Sequence, residues 1–241
     1  MRLYGKRPVL ERLKTAPKTI RALILQQDTD AADLVKAAKS AGITFLSKSR
    51  HEFSRLAPEV HTQGVLAEVE DFRYTEIEEL LRQAEPRPTL ILLDRVTDPQ
   101  NFGAILRTLA CLGGFAVVLP RHESAEVNET VLRIACGGEN HVPVARVTNL
   151  VQACEAAKEA GYWIAGAVPA EGTPLHAADW PVPLAVVLGS EGTGIRPGLE
   201  KQLDLKLSLP MPGAPLSFNV ATAAALIGYE VTRRRLQGGK R

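Results

Sequence analysis

The sequence has few cysteines, histidines and aromatic residues, and each scarcity excludes a class of protein. The 241 residues include three cysteines, an odd number with no CxxC pair, which argues against a disulfide framework or a zinc site and favours reduced thiols. The five histidines are scattered with no HxxxH pair, so we expect no bound metal. Aromatic residues make up 5% of the chain, which leaves little material for stacking on nucleotide bases.

The standard signatures of nucleotide-binding and hydrolytic enzymes are also missing. The chain has no GxxxxGK[ST] motif and no GxGxxG after the first strand of either predicted unit, which disfavours a P-loop and a classical Rossmann cofactor. Ser190 lacks the GxSxG context, and no histidine follows His176. A Ser-His-Asp hydrolase is therefore disfavoured as well.

Neither end of the chain predicts export or a membrane span. Residues 1–21 carry seven basic side chains against one acid and contain no apolar run, so we expect no secretory signal and a cytoplasmic protein. The longest uncharged run, residues 207–229, has prolines at positions 210, 212 and 215, where a lipid-exposed backbone could not be satisfied. We interpret this run as a loop followed by a buried helix, and expect no membrane partner.

Charge is distributed unevenly along a chain whose formal net charge is only +2. Residues 233–241 carry five basic side chains and no acid, and residues 1–21 are also basic, so the body between them is acidic. Basic ends on an acidic body suggest a polyanionic partner. A solvated first helix and a frayed tail would have the same composition.

Alternating strand and helix patterns predict an α/β protein with two units. In the first unit, residues 1–72, we expect strands at 19–27, 43–47 and 64–69 and a helix at 31–41. An acidic helical segment at 74–84 and two prolines at positions 86 and 88 predict a linker over residues 73–88.

The second unit, residues 89–241, has longer apolar strands. They are predicted at 90–93, 116–119, 142–147, 162–168, 184–188 and 205–209, and the helices at 102–112, 125–135, 150–160, 197–203 and 219–236. Such strands indicate a parallel sheet covered on both faces. Since ligands bind beyond the carboxyl ends of parallel strands, we expect a site at the loops that follow residues 93, 188 and 209.

These three loops carry ordered motifs that resemble those of the SpoU (TrmH) family. The motifs are residues 101–107 (NFGAILR), residues 188–194 (LGSEGTG) and residues 209–221 (LPMPGAPLSFNVA). The family comprises RNA ribose 2′-O-methyltransferases of the SPOUT class, which use S-adenosyl-L-methionine (AdoMet). Residues 4–11 (YGKRPVLE) are similar to the start of the L30e-like RNA substrate-binding domain that many members carry.

The resemblance implies a SPOUT domain with a C-terminal trefoil knot, AdoMet as methyl donor, and a homodimer that completes each site. It places backbone contacts to the cofactor at Gly189, Leu209 and Phe218, with Met211 nearby. Phe218 departs from the leucine that is usual at its position, so the pocket wall would be bulkier there.

The resemblance also implies five catalytic residues, namely Asn101, Arg107, Glu191, Ser217 and Asn219. Arg107 is the family's usual candidate for assisting the loss of the ribose proton. An arginine guanidinium resists deprotonation, so we favour a role in anchoring a phosphate or in stabilising the developing alkoxide. Asn101 could equally cap a helix, and Glu191 could be an ordinary loop carboxylate. Ser217 and Asn219 could contact substrate or cofactor and also cap the last helix, since the two roles are compatible.

Fewer residues indicate which RNA is the substrate and whether the protein forms a dimer. Residues 136–150 (CGGENHVPVARVTNL) resemble family members that methylate a guanosine in 23S ribosomal RNA, and Arg2, Lys6 and Arg7 suit RNA phosphate contacts. Transfer RNA is the alternative substrate, and a non-catalytic RNA-binding or ribosome-assembly protein is the alternative from another class. The apolar stripe on the last helix fits either the core or a dimer surface and consists of Val220, Ala223, Ala224, Ile227 and Val231.

Overall fold

The computed structural model describes residues 1–58, 62–169, 171–190, 192–214 and 216–238. Within these ranges the chain forms two β-sheets with helices packed against them, which confirms the predicted α/β class. No helix in these ranges is long and apolar enough to cross a membrane.

The leading unit is built on a four-stranded mixed sheet. In chain order its elements are β1 (Arg2–Tyr4), α1 (Lys6–Thr15), β2 (Ile20–Gln26), α2 (Ala32–Ser40), β3 (Leu46–Lys48), α3 (Arg50–Leu56) and β4 (Val65–Val69). The strand order is β1-β4-β2-β3, with β2 parallel to β3 and antiparallel to β4. Helix α3 begins at a capping box, because Ser49 and Glu52 exchange side-chain to backbone hydrogen bonds.

The second unit is built on a seven-stranded sheet in which every pair of neighbouring strands is parallel. Its elements are α4 (Ile77–Leu81), β5 (Thr89–Leu93), α5 (Pro99–Leu112), β6 (Phe115–Pro120), α6 (Glu129–Ala135), β7 (Val144–Val147), α7 (Leu150–Glu159), β8 (Trp163–Val168), β9 (Thr173–Pro174), β10 (Leu184–Leu188), α8 (Pro197–Glu200), β11 (Leu205–Ser208) and α9 (Val220–Gly238). The strand order is β7-β6-β5-β10-β8-β11-β9.

Both faces of the parallel sheet are buried, as its continuous apolar strands predict. Ile91 and Leu93 of β5 join the core beneath α5, α6 and α9, whereas Leu90 and Leu92 join the core beneath α4 and α7. Because the strands are parallel, the carboxyl ends of β5, β10, β8 and β11 meet along one edge. The loops that carry the three motifs therefore lie close together.

Helix α9 decides between the two interpretations of its apolar stripe. Val220, Ala224, Ile227 and Val231 are buried in the core, and α9 packs along α5. Four residues of the stripe therefore form a core face, and for them the alternative of a dimer surface is wrong, whereas the fifth, Ala223, is half-buried. The cause is burial by α5, whose residues Leu109 and Leu112 lie against the helix at Gly228.

The segment between the sheets is partly packed onto the second unit. The amide of Thr75 donates to the carbonyl of Val144, and Leu80 of α4 is fully buried against that sheet. The predicted helix at 74–84 is thus shortened to α4. The sequence patterns also missed β1 and α3, since both are short and mix polar with apolar residues.

The basic C-terminal arginines belong to the fold. Arg234 lies 3.9 Å above the ring of Trp180 and donates to the carbonyls of Leu175 and Ala178. Arg235 lies over Phe115 and donates to Thr89, a strand residue of β5. These two guanidiniums stabilise the packing of α9 on the sheet.

Candidate functional site

A cavity of about 550 Å³ opens at the carboxyl ends of β8, β10 and β11. The residues after β10 and the residues after β11 form two of its walls, and residues 167–169 at the end of β8 form a third. Its lining mixes apolar side chains with exposed backbone of glycine-rich loops. The volume falls within the range of sites for small organic ligands.

The loop after β10 closes tightly on itself. The amide of Gly194 donates to the carbonyl of Ser190, and the hydroxyls of Ser190 and Thr193 lie 2.8 Å apart. A Cβ atom on Gly189 would lie 2.2 Å from the carbonyl carbon of Gly194, so only glycine fits at position 189. Gly194 adopts a φ of 64°, in the left-handed region that glycine tolerates. This packing leaves the loop's backbone facing the cavity.

All four residues predicted to contact the cofactor line this cavity. They are Gly189, Leu209, Met211 and Phe218. Ser217 lines it as well, and the Phe218 ring is 41% exposed at its mouth. The bulkier wall expected from Phe218 is therefore at the entrance of the cavity.

Two residues without a predicted role fasten the glycine loop to β5. Asp94 directly follows β5 and is fully buried; its carboxylate accepts from the amide of Arg196 at 2.9 Å and lies 2.7 Å from the Arg196 Nε. Arg95 donates to the carbonyl of Gly194 at 3.3 Å. In the sequence, Asp94 could have been recognised as an acidic residue directly after an apolar strand, because a buried carboxylate needs a partner.

The predicted catalytic residues divide into two groups. Asn219 Nδ2 donates to Asn101 Oδ1 at 2.9 Å, so the start of α5 and the start of α9 are joined next to Ser217. Asp98 caps α5, and this helix already includes Asn101. Arg107 lies six positions after Asn101 on this helix, which places the two about 120° apart around the axis.

Arg107 is exposed on α5 and does not line the cavity. Among the described residues it forms no hydrogen bond or ion pair. Its backbone lies against Gly138, whose Cβ would come within 2.9 Å of the Arg107 Cα. Burial raises the pKa of the nearby Cys136 thiol, and the positive charges of Arg107 and Arg7 oppose that rise. Both arginines therefore lie around the Cys136 turn.

The remaining predicted residues are placed as follows. Glu191 lies outside the described residues. Arg2 and Arg7 are exposed on the leading unit, and Arg2 donates to the carbonyl of Leu56. The backbone amide of Lys6 donates to the side chain of Gln63. No group of acidic, cysteine and histidine side chains suited to a metal ion occurs in the described ranges.

Two family models match the chain. Residues 88–229 match the SpoU rRNA Methylase family, and residues 2–75 match a model described as RNA 2'-O ribose methyltransferase substrate binding. The first match covers the parallel-sheet unit with the cavity, and the second covers the leading unit.

Relatives with full-length similarity carry names from the same group. A putative TrmH family tRNA/rRNA methyltransferase, YacO of Bacillus subtilis, is 34% identical over 238 residues, which is 97% of this chain and 95% of the relative. The 23S rRNA (guanosine-2'-O-)-methyltransferase RlmB of Pseudomonas aeruginosa is 35% identical over 240 residues, 97% of this chain and 96% of its own. An uncharacterized tRNA/rRNA methyltransferase of Synechocystis is 36% identical over 239 residues. The match covers 97% of this chain but only 62% of that longer protein.

Solved structures share the fold over nearly the whole chain. A putative RNA methyltransferase of the TrmH family from Porphyromonas gingivalis has a TM-score of 0.76 and 28% identity, covering 97% of this chain and 89% of its own. The SpoU methyltransferase AviRb of Streptomyces viridochromogenes, solved in complex with AdoMet, has a TM-score of 0.79 and 23% identity. The match covers 98% of this chain and 91% of AviRb.

Proposed function

The chain belongs to the SpoU rRNA methylase family and is an AdoMet-dependent RNA ribose 2′-O-methyltransferase, and we propose that it methylates a guanosine in 23S ribosomal RNA. The observation that carries this proposal is the convergence of the second and third motif loops on one cavity, with Asn101 of the first motif bonded to Asn219 next to it, combined with a leading unit of the substrate-binding type. The ribosomal target is supported by the similarity to RlmB along 97% of this chain.

The residues around the cavity suit AdoMet. We propose that the backbone groups of Gly189, Leu209 and Phe218 hold it, with Met211 along the wall. The absence of room for a Cβ at Gly189 supports this assignment indirectly: the Cβ would meet the backbone of Gly194, so glycine keeps the loop in the conformation that lines the cavity. Bound AdoMet supplies an electrophilic methyl group. The loops contribute by fixing its orientation, since positioning accounts for about 7–11 kcal/mol in favourable cases.

The protein groups next to the cavity would orient the ribose. The Asn101–Asn219 pair connects α5 with α9 beside Ser217, which suits binding of a hydroxyl group. Arg107 offers a planar set of donors, so we propose that it anchors an RNA phosphate or stabilises the developing alkoxide. Its exposure and lack of a described partner suit a group that pairs with a substrate.

We also propose that the enzyme is a homodimer joined through α9. The solvent-facing side of this helix carries Leu226, Tyr229 and Leu236, which are 41%, 64% and 70% exposed. Their spacing of three and seven residues places them on one stripe. Leu216 and Phe218, in the loop that leads into α9, are also exposed, and Phe218 lines the cavity, so we propose that the second copy covers this loop as well.

Incubation with labelled AdoMet tests the function directly. The purified protein is mixed with 23S ribosomal RNA and with transfer RNA, both transcribed without modifications, and the labelled nucleotide is mapped. We expect one labelled guanosine ribose in 23S ribosomal RNA. Labelling of transfer RNA alone would establish the alternative substrate, and RNA binding without any calorimetric AdoMet signal would contradict an enzymatic role.

A further inference from the structure

A short turn of the second unit packs between the leading unit and α5, the helix that carries Arg107. This interdomain turn comprises residues 136–141 and includes the helical turn Gly138–Asn140. We propose that the buried Arg12–Glu139 ion pair fixes the orientation of the leading unit relative to Arg107, which makes Arg12 and Glu139 positioning residues for RNA. The expected effect on RNA methylation rests on the proposed function, whereas the expected effect on the packing of the two units does not.

One side of the interdomain turn is held by α1 of the leading unit. Arg12 Nη2 lies 3.0 Å from Glu139 Oε1, and His141 Nε2 lies 2.8 Å from Glu11 Oε1. A Cβ on Gly137 would come within 2.4 Å of the Glu11 side chain, so helix and turn are in direct contact. Neighbouring residues of α1 thus pair with both ends of the turn.

The other side of the turn is held by α5. A Cβ on Gly138 would lie 2.9 Å from both the Arg107 Cα and the Leu106 carbonyl oxygen. Gly103, one helical turn before Arg107, packs against α6 in the same way, because its Cβ would lie 2.7 Å from the Cβ of Ile134. Because backbone packs on backbone here, a shift of the turn would move Arg107 or open a gap beneath it.

Burial makes the ion pair sensitive to orientation. The side chains of Arg12 and Glu139 are 7% and 0% exposed, and burial raises the pKa of the Glu139 carboxyl. A small slide of the two units would leave a buried charge without its partner, which is strongly unfavourable. The pair therefore favours one docked orientation over its neighbours, even though such pairs add little to net stability.

This orientation sets the spacing of two RNA-facing cations. Arg7 is exposed on α1, four residues before Glu11, and Arg107 is exposed on α5. Glu11 of α1 lies against Gly137 and the Arg107 Cα lies against Gly138, so both arginines are carried by helices that pack on the interdomain turn. If each binds an RNA phosphate, the distance between the bound phosphates depends on how the turn holds the units. A shift of about 1 Å at a reacting centre can lower a rate about a hundredfold.

The test uses the double variant Arg12→Met/Glu139→Met in the full chain. Methionines of similar length keep the interface apolar and leave no unpaired charge. Lys158→Met is the matched control, because it breaks an ion pair of 2.9 Å with Asp204 that lies within the second unit. The measurements are AdoMet affinity by calorimetry, kcat and KM on 23S ribosomal RNA, the map of methylated nucleotides, and hydrogen exchange without RNA.

We expect the double variant to bind AdoMet within about twofold of the unsubstituted enzyme and to lose at least about tenfold in kcat/KM for RNA. Methylation should spread to nucleotides beside the target, which a loss of stability alone would not cause. Hydrogen exchange should quicken in α1 and the interdomain turn. Lys158→Met should keep one target and the original kcat/KM.

An unchanged kcat/KM together with a single methylated nucleotide would overturn the proposal. If the double variant does not fold, Glu139→Gln, which keeps the side-chain volume, is measured in the same way. If the unsubstituted enzyme methylates no ribosomal RNA, the proposed substrate is wrong. Exchange in the RNA-free protein then decides the proposal, since unchanged protection in α1 and the turn would refute it.

Discussion

Asp94 offers the sharpest test of how the cofactor loop is held in place. Its buried carboxylate contacts the amide and the Nε of Arg196, and Arg95 beside it holds the carbonyl of Gly194. Asp94→Asn keeps the size of the side chain but removes the charge. The amide oxygen of asparagine can accept from only one of the two Arg196 groups, while its NH2 faces the other donor.

The expected loss follows from the strength of charged hydrogen bonds. A bond to a charged group contributes about 1.5–3 kcal/mol and a neutral bond about 0.5–1.5 kcal/mol. The Arg196 side chain is 40% exposed, so we take the lower part of this difference, about 1 kcal/mol. If the loss falls wholly on the loop conformation that binds, the Kd for AdoMet should rise about fivefold.

Asp98→Asn is the matched control for this experiment. Asp98 lies in the same loop and caps α5 by accepting from the amide of Gln100. Asparagine caps helices about as well as aspartate, so AdoMet affinity should not change. Calorimetry on both variants, with thermal melts to verify folding, gives the answer. A folded Asp94→Asn protein with a Kd within twofold of the original would refute the reasoning, as would equal weakening by both variants.

Three further predictions follow from single side chains. Arg107→Lys keeps the charge but not the planar fork, so methyl transfer should fall at least about tenfold with AdoMet affinity unchanged; near-normal turnover would contradict the role. Gly189→Ala should weaken AdoMet binding in calorimetry, whereas Gly213→Ala, whose Cβ meets nothing within 4 Å, should not. Hydrogen bonds from Arg233 and then Arg234 lower the pKa of Glu230 to about 2, below its usual 4.5. The stabilisation is present above pH 4.5 and lost as the pH falls towards 2, so Glu230→Gln should lower the Tm at pH 7, by a difference that vanishes near pH 2.

The strands of the second sheet could be predicted because each is buried on both faces. Such strands are continuous apolar runs, and their predicted ends agree with the structure to within two residues for β5, β6, β7, β8, β10 and β11. The two-residue strand β9 carries no such run and was missed. In the leading unit, the predicted strand at 43–47 is observed as β3, Leu46–Lys48, because its exposed side chains carry a weaker pattern.

The cavity could be predicted in part in the same way, as the meeting point of loops after parallel strands: the loops after residues 188 and 209 line it, whereas the expected loop after residue 93 does not and the end of β8 takes its place. The loops themselves show in the sequence, since glycine and proline interrupt apolar runs there. The contacts of the polar side chains could not be predicted in this way. The C-terminal arginines suggested contact with a polyanion, yet Arg234 and Arg235 are used in packing α9 on the sheet.

The sequence by itself predicted the α/β class, the six long strands of the second sheet in their chain order, the glycine- and proline-rich loops of the site and the family. These features depend on local patterns, which are read within a few neighbouring residues. Only the tertiary structure decided that the α9 stripe faces the core, that Asp94 fastens a loop 102 residues away, and that Arg12 meets Glu139 across 127 residues. Such pairings depend on how the chain folds back on itself, and no local pattern records the distance between residues so far apart in sequence.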